Sequence, residues 1–214
     1  MKSSAKSAFT LIELLVVIAI IAILASLAMQ GIFSSIEKAR ALTDSNQLKT
    51  LGEIFERYLT DHDDALPSLS GAGAGTAWPE QFHKITTDYK IFLSPFDKRP
   101  VQTTSSSPCS YGINNNVFGL DRWEINSPSE LIMMAPVATV GGNLKPVFTG
   151  VASTNVTLQP TSTHGTYKIT KNGSYLNALY ADWHVVPMNY SPDFTDTSST
   201  AGQRHWNPKY EDTQ

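Results

Sequence analysis

Phe9-Thr10-Leu11-Ile12-Glu13-Leu14-Leu15-Val16-Val17-Ile18-Ala19-Ile20-Ile21-Ala22-Ile23-Leu24-Ala25-Ser26-Leu27-Ala28-Met29 holds only three polar residues, Thr10, Glu13 and Ser26. Coiled as a helix at about 1.5 Å per residue, it reaches about 31 Å, which matches a bilayer core of about 30 Å. Ahead of it, residues 1–8 are polar and carry Lys2 and Lys6 with no acid. Positive charge stays on the cytoplasmic side, so the expected topology is a single pass with the leader inside and the body outside. Lys38 and Arg40 follow the far end and are partly offset by Glu37. The remainder of the 214 residues is rich in Ser, Thr, Asn, Gly and Pro, which predicts one membrane-type segment followed by a loop-rich, soluble body. Glu13 does not belong in such a segment. An ionised carboxylate one turn inside a bilayer costs on the order of a few kcal/mol unless it snorkels or finds a partner, so the residue is functional by default.

The run from Ala8 through Phe9, Thr10, Leu11, Ile12 and Glu13 to Ala25 resembles the prepilin cleavage and methylation motif of type IV pilins and type II secretion pseudopilins. The resemblance implies that a prepilin peptidase cuts between Ala8 and Phe9 and methylates the new amino group of Phe9. It also implies that Glu13 pairs with that amine on a neighbouring subunit during assembly. The family usually has Gly before the cut, where this chain has Ala8. Loss of residues 1–8 removes two of 16 basic residues and none of the 19 acids, taking the side-chain charge from −3 to −5. In a low-dielectric bundle such an ion pair sets register, because removing one partner strands the other at several kcal/mol.

Two other readings compete. Ser26-Leu27-Ala28 is a small-x-small site at which signal peptidase could cut before Met29, releasing a secreted protein. The apolar run is longer than a usual signal core and carries an acid, which favours the first reading. A membrane-anchored extracytoplasmic binding protein that does not polymerise is the other alternative.

Past Gly31 the pattern becomes amphipathic: Ile32, Ile36, Ala39 and Leu42 recur at helical spacing, as do Leu48, Leu51, Phe55 and Tyr58. No proline precedes Pro67, so a helix from about Thr10 to about Asp61 is predicted, with Gly31 and Gly52 as weak points costing about 1 kcal/mol each. Its second-half stripe is expected to dock on the chain's own antiparallel sheet, giving an α+β pilin fold with irregular insertions. The predicted division is a leader at 1–8, a transmembrane and filament-core half-helix at 9–29, and an amphipathic half at 30–62. A globular body at 63–190 and a polar tail at 191–214 complete it.

Within the body, residues 69–77 read as a Gly-rich loop and Pro79–Ile85 as a short helix. Leu131–Ala135 reads as a buried strand. Thr166–Thr170 and Tyr175–Tyr180 flank Lys171-Asn172-Gly173-Ser174 as a hairpin, and His184–Met188 follows as a third strand. Ser94-Pro95-Phe96-Asp97 and Ser110-Tyr111-Gly112-Ile113-Asn114 resemble the middle of a bacterial prepilin-like subfamily, with Ser94 in place of the usual Cys. Asp182-Trp183-His184-Val185 resembles that subfamily's closing Asp-Gly-His-Val turn. Trp183 stands where Gly is usual, so a different backbone type is expected there.

The sequence offers little catalytic chemistry, and no enzyme activity or cofactor is expected. Cys109 is the single cysteine, so no internal disulfide exists; it reads as a small half-buried residue, with an intermolecular bridge as the alternative. His164, Asp182 and His184 have the donor types of a zinc or iron site, but their spacing matches no metal signature. A hydrogen-bonded turn is the simpler reading. Asp193, Asp196 and Asp212 invite calcium, against the simpler reading of a solvated tail. Trp78, Trp123, Trp183 and Trp206 are explained mostly by core packing, with a carbohydrate or protein contact surface as the alternative. A charge of −3 without a basic run gives no reason to expect nucleic acid as a partner. The partners implied by the resemblance are prepilin peptidase, like or unlike pilin subunits, an inner-membrane assembly platform and the lipid bilayer.

Overall fold

The computed structural model describes residues 10–67, 78–82, 84–97, 109–136, 147–148, 167–170, 173–194, 196 and 198–211. The chain divides into two units, Met1–Lys38 and Ala39–Gln214. Helix α1, Leu11–Asp61, contributes to both, close to the bounds its sequence predicts. Thr10 and Glu13 start it with reciprocal bonds: the Thr10 N–H and hydroxyl both donate to the Glu13 carboxylate at 2.8 Å, and the Glu13 N–H donates to Thr10 Oγ1 at 3.3 Å. This is a capping box, which satisfies orphan donors of the first turn. Ser26 returns its hydroxyl proton to the Ile23 carbonyl at 2.8 Å, so this polar group is satisfied within the apolar stretch. The helix stops where Asp63 and Asp64 take positive φ and the Asp64 N–H reaches back to the Leu59 carbonyl.

In the first unit every described side chain of α1 up to Ile36 is exposed. In the second unit burial begins at Asp44 and continues through Leu48, Leu51, Phe55, Tyr58 and Leu59. The first predicted stripe, Ile32, Ile36 and Leu42, is therefore bare, and only the second is covered.

The rest of the second unit has α2 (Trp78–Phe82), then β1 (Tyr111–Asn114), β2 (Ile132–Pro136) and β3 (Val147–Phe148). These are followed by β4 (Tyr167–Thr170), β5 (Gly173–Tyr180), β6 (Val185–Asn189) and α3 (Thr200–Trp206). The sheet runs β3-β1-β2-β5-β4, with β6 also on β5. All pairings are antiparallel except the two-residue β3 against β1. Hence the fold is α+β, consistent with the pilin fold. Thr170 pairs with Gly173, so Gly173 opens β5, while turn residues 171 and 172 lie outside the described residues. The predicted Gly-rich loop, residues 69–77, lies outside them too.

Period-two alternation along β5 builds two cores. Leu179 faces a cluster with Leu48, Leu51, Phe55 and Tyr58 of α1, joined by Trp78, Phe82 and Ile113. Leu176, Ala178 and Tyr180 face a second cluster with Ile132, Met188, Phe194 and Trp206. Residues 191–211 thus carry more structure than a polar tail. Tyr190–Phe194 forms a wide helical turn, Ser199 caps α3, and the rings of Phe194 and Trp206 meet edge-on at 5.1 Å. Burying each ring contributes about 2–3 kcal/mol. Asn114 and Asn116 both donate to the Trp206 carbonyl, at 3.2 and 2.9 Å.

Candidate functional site

Two places on α1 carry the chemistry. At its start, Glu13 is exposed and its carboxylate is held by Thr10 of the same chain. Ala8 and Phe9, the expected cleavage pair, lie outside the described residues. Downstream of the cap, the apolar window has a mean hydropathy of 2.9 with none of it buried, long and apolar enough to cross a membrane.

The second place was not foreseen. Asp44, fully buried, is the first buried residue among the described side chains of α1. Its Oδ1 accepts from the Ser94 hydroxyl at 2.6 Å and the Tyr111 hydroxyl at 2.7 Å, and its Oδ2 from Asn177 Nδ2 at 2.9 Å. Asn177 also donates to the Ala41 carbonyl at 2.9 Å. Ser110 Oγ accepts from the Ser94 N–H at 2.9 Å and donates to Asp97 at 2.7 Å. The stretches Ser94–Asp97 and Ser110–Asn114 therefore supply two of the three donors to one carboxylate of α1, and Asn177 of β5 supplies the third. Asp44's bonded side chains are all neutral, and burial pushes its carboxyl above the usual carboxylate range despite the three donors. Tyr111 is pushed well above the ordinary phenol range by burial and by the neighbouring Asp44. A polar residue in a helical stripe was the available signal: Asp44 lies four residues before Leu48.

A third contact closes the far end. Trp183 holds φ of 70°, the left-handed conformation that Gly adopts freely. A large side chain thus sits in a backbone region that L residues rarely adopt. The indole accounts for this: it stacks on Phe55 at 5.3 Å and donates Nε1–H to Glu56 at 2.6 Å. Gly52 makes room for it, since a Cβ there would stand 3.2 Å from the Trp183 Cβ. Arg122 pairs with Glu56 at 2.8 Å, and its hydrogen bond lowers the Glu56 carboxyl.

Asp182 and His184 bond each other through Oδ1 and Nδ1, and His184 stacks on Tyr180 at 4.4 Å. His164 and Asp212 lie outside the described residues, and among the described ones no group of three His, Cys, Asp or Glu could hold a metal. Asp193 accepts from Asn189, and Asp196 is held by Ser198 and Ser199. Cys109 is buried and donates to the Tyr111 carbonyl at 3.2 Å. Trp78 and Trp206 are core residues, Trp183 is half-buried, and Trp123 is 66% exposed.

Residues 3–29 match the family described as Prokaryotic N-terminal methylation motif. The chain carries a prepilin-type N-terminus. That motif implies processing by prepilin peptidase and assembly with other pilin-like subunits in general. With the apolar helix it also fits an inner-membrane anchor. No curated protein and no solved structure matches the chain.

Proposed function

We propose that this chain is a structural prepilin or pseudopilin, cut between Ala8 and Phe9, methylated on Phe9 and polymerised through α1. The observation that carries the reading is a methylation motif over residues 3–29 that runs into a helix whose described large apolar residues from Leu11 to Leu42 are uncovered. Before assembly the bilayer covers that surface, with the leader in the cytoplasm and the sheet body outside. After assembly, packed helices of neighbouring subunits cover it. Glu13 exchanges its bonds to Thr10 for the Phe9 amine of an adjoining subunit, which sets the axial offset between chains. The filament is of type IV pilus or type II secretion type. An inner-membrane assembly platform and subunits of like or unlike sequence are the other partners.

Mass spectrometry of the N-terminal peptide from the native protein tests this. The expected peptide begins at Phe9 and bears a methyl group. A peptide beginning at Met1 would favour a plain membrane anchor, and one beginning at Met29 a secreted protein. Either result removes the reading.

A further inference from the structure

The covered stripe of α1 is not unique in its apolar pattern. Upstream of it Ile32, Ile36 and Leu42 continue at helical spacing, and all three are exposed. Hydrophobic burial is non-directional and scales with area, so it grades placements of sheet on helix only by the apolar surface they cover. A polar contact adds a second selection, by the positions of donor and acceptor. The hydroxyls of Ser94 and Tyr111 and the amide of Asn177 converge on Asp44, and all four side chains are buried.

We propose that Asp44 is the register determinant of this fold: it decides which stretch of a long apolar helix the sheet covers, and therefore where the bare stretch ends. A slip of three residues would bring Ala41 to the donors, and a slip of four would bring Arg40. The Ala41 side chain offers no acceptor and the Arg40 side chain presents only donors, so each slip takes from the Ser94 and Tyr111 hydroxyls and the Asn177 amide the carboxylate they share. A slip of seven brings Glu37, whose extra methylene does not fit donors spaced for Asp44. It also sets Ser45 where Gly52 now leaves room for Trp183. One polar point and one steric notch, about 12 Å apart along the helix, therefore oppose the slips of three, four and seven residues that would carry the sheet toward the upstream stripe, with the polar point acting on all three. The register claim stands on the fold alone, and only its consequence for filament assembly rests on the proposed function.

Spin labels at Lys49 on α1 and Val186 on β6, both exposed, would report the register in the full-length chain. Cys109→Ala removes the native thiol, and micelles cover the apolar helix. With Asp44 present, pulsed dipolar spectroscopy should give one narrow distance. Replacing the four side chains together, by Asp44→Leu, Ser94→Ala, Tyr111→Phe and Asn177→Leu, removes the carboxylate and its three side-chain donors at once. A second population displaced by about 5 Å or more, one helical turn, is then expected. The original single distance in that variant would overturn the proposal and assign register to packing. Should the fourfold variant not fold, Asp44→Ala alone decides: a distribution at least twice as broad supports the proposal, and an unchanged width refutes it.

Discussion

Asp44 sets desolvation against hydrogen bonding, and the two have opposite pH signatures. Burial raises its folded-state pKa above the unfolded value of about 4. The folded state therefore keeps a proton at pH values where the unfolded chain has lost it. Its contribution to stability is complete below the unfolded pKa and is lost as pH rises through the folded one. Urea denaturation followed by tryptophan fluorescence should show the wild-type protein gaining on Asp44→Asn as pH falls from 7 to 4. A difference running the other way would mean that the donors outweigh burial. Asp44→Ala removes the acceptor that three buried donors share, although Asn177 keeps the Ala41 carbonyl and Tyr111 keeps Gln47 Oε1 at 3.2 Å, and should lower stability by about 1–3 kcal/mol at any of these pH values. At Trp183 the opposing effects are steric. The left-handed backbone costs a non-glycine residue about 1–2 kcal/mol, while the indole contributes stacking and the bond to Glu56. Trp183→Ala keeps the strain and loses the contacts, whereas Trp183→Gly loses both. Both variants should be less stable than wild type, with Gly above Ala by about 1 kcal/mol in thermal or urea unfolding. Equal stabilities would show that the turn carries no strain.

At the scale of elements, α1 was legible almost to the residue, because an unbroken apolar run followed by an amphipathic one without proline admits few alternatives. The bounds of β2, β5 and β6 fell close to prediction because Leu131–Ala135 and Tyr175–Ala181 are largely apolar runs, and a short turn separates the second from the β-branched Val185 and Val186. The two-residue β3 pairs through too few residues to leave a pattern. Residues 191–211 read as polar because only Phe194 and Trp206 of that stretch face the second core; two large rings anchor a stretch whose other residues are mostly polar. Trp206→Ala should therefore cost about 3–5 kcal/mol, which is core behaviour and would be absent from a solvated tail. The first candidate site, Glu13, stood out as an acid within an apolar run. The Asp44 site did not, since its three donors come from Ser94, Tyr111 and Asn177, up to 133 residues away, and no local pattern joins them. For the same helix, Glu13→Ala should leave membrane insertion intact and abolish incorporation into filaments, checked by membrane fractionation beside filament shearing. Normal incorporation would remove the ion-pair argument.

For the whole molecule, the distribution of bare apolar surface decides what can exist in water. Among the described residues, the exposed large hydrophobic side chains are confined to Leu11–Leu42 apart from Trp123 and Val186. All of the first group except Leu42 lie in the unit Met1–Lys38. Monomeric soluble proteins rarely expose contiguous apolar patches beyond a few hundred Å², so the full chain requires a bilayer, detergent or neighbouring helices. A fragment spanning 39–214 keeps Asp44, the covered stripe and both cores while losing nearly all of that surface. It should be monomeric without detergent by sedimentation and unfold cooperatively in urea. A fragment spanning 47–214 loses no core side chain, yet it lacks Asp44 and leaves Ser94, Tyr111 and Asn177 without their acceptor. Its unfolding midpoint should fall well below that of the longer fragment, by an amount near that of Asp44→Ala. Equal midpoints would mean that the buried carboxylate contributes nothing net to holding sheet and helix together.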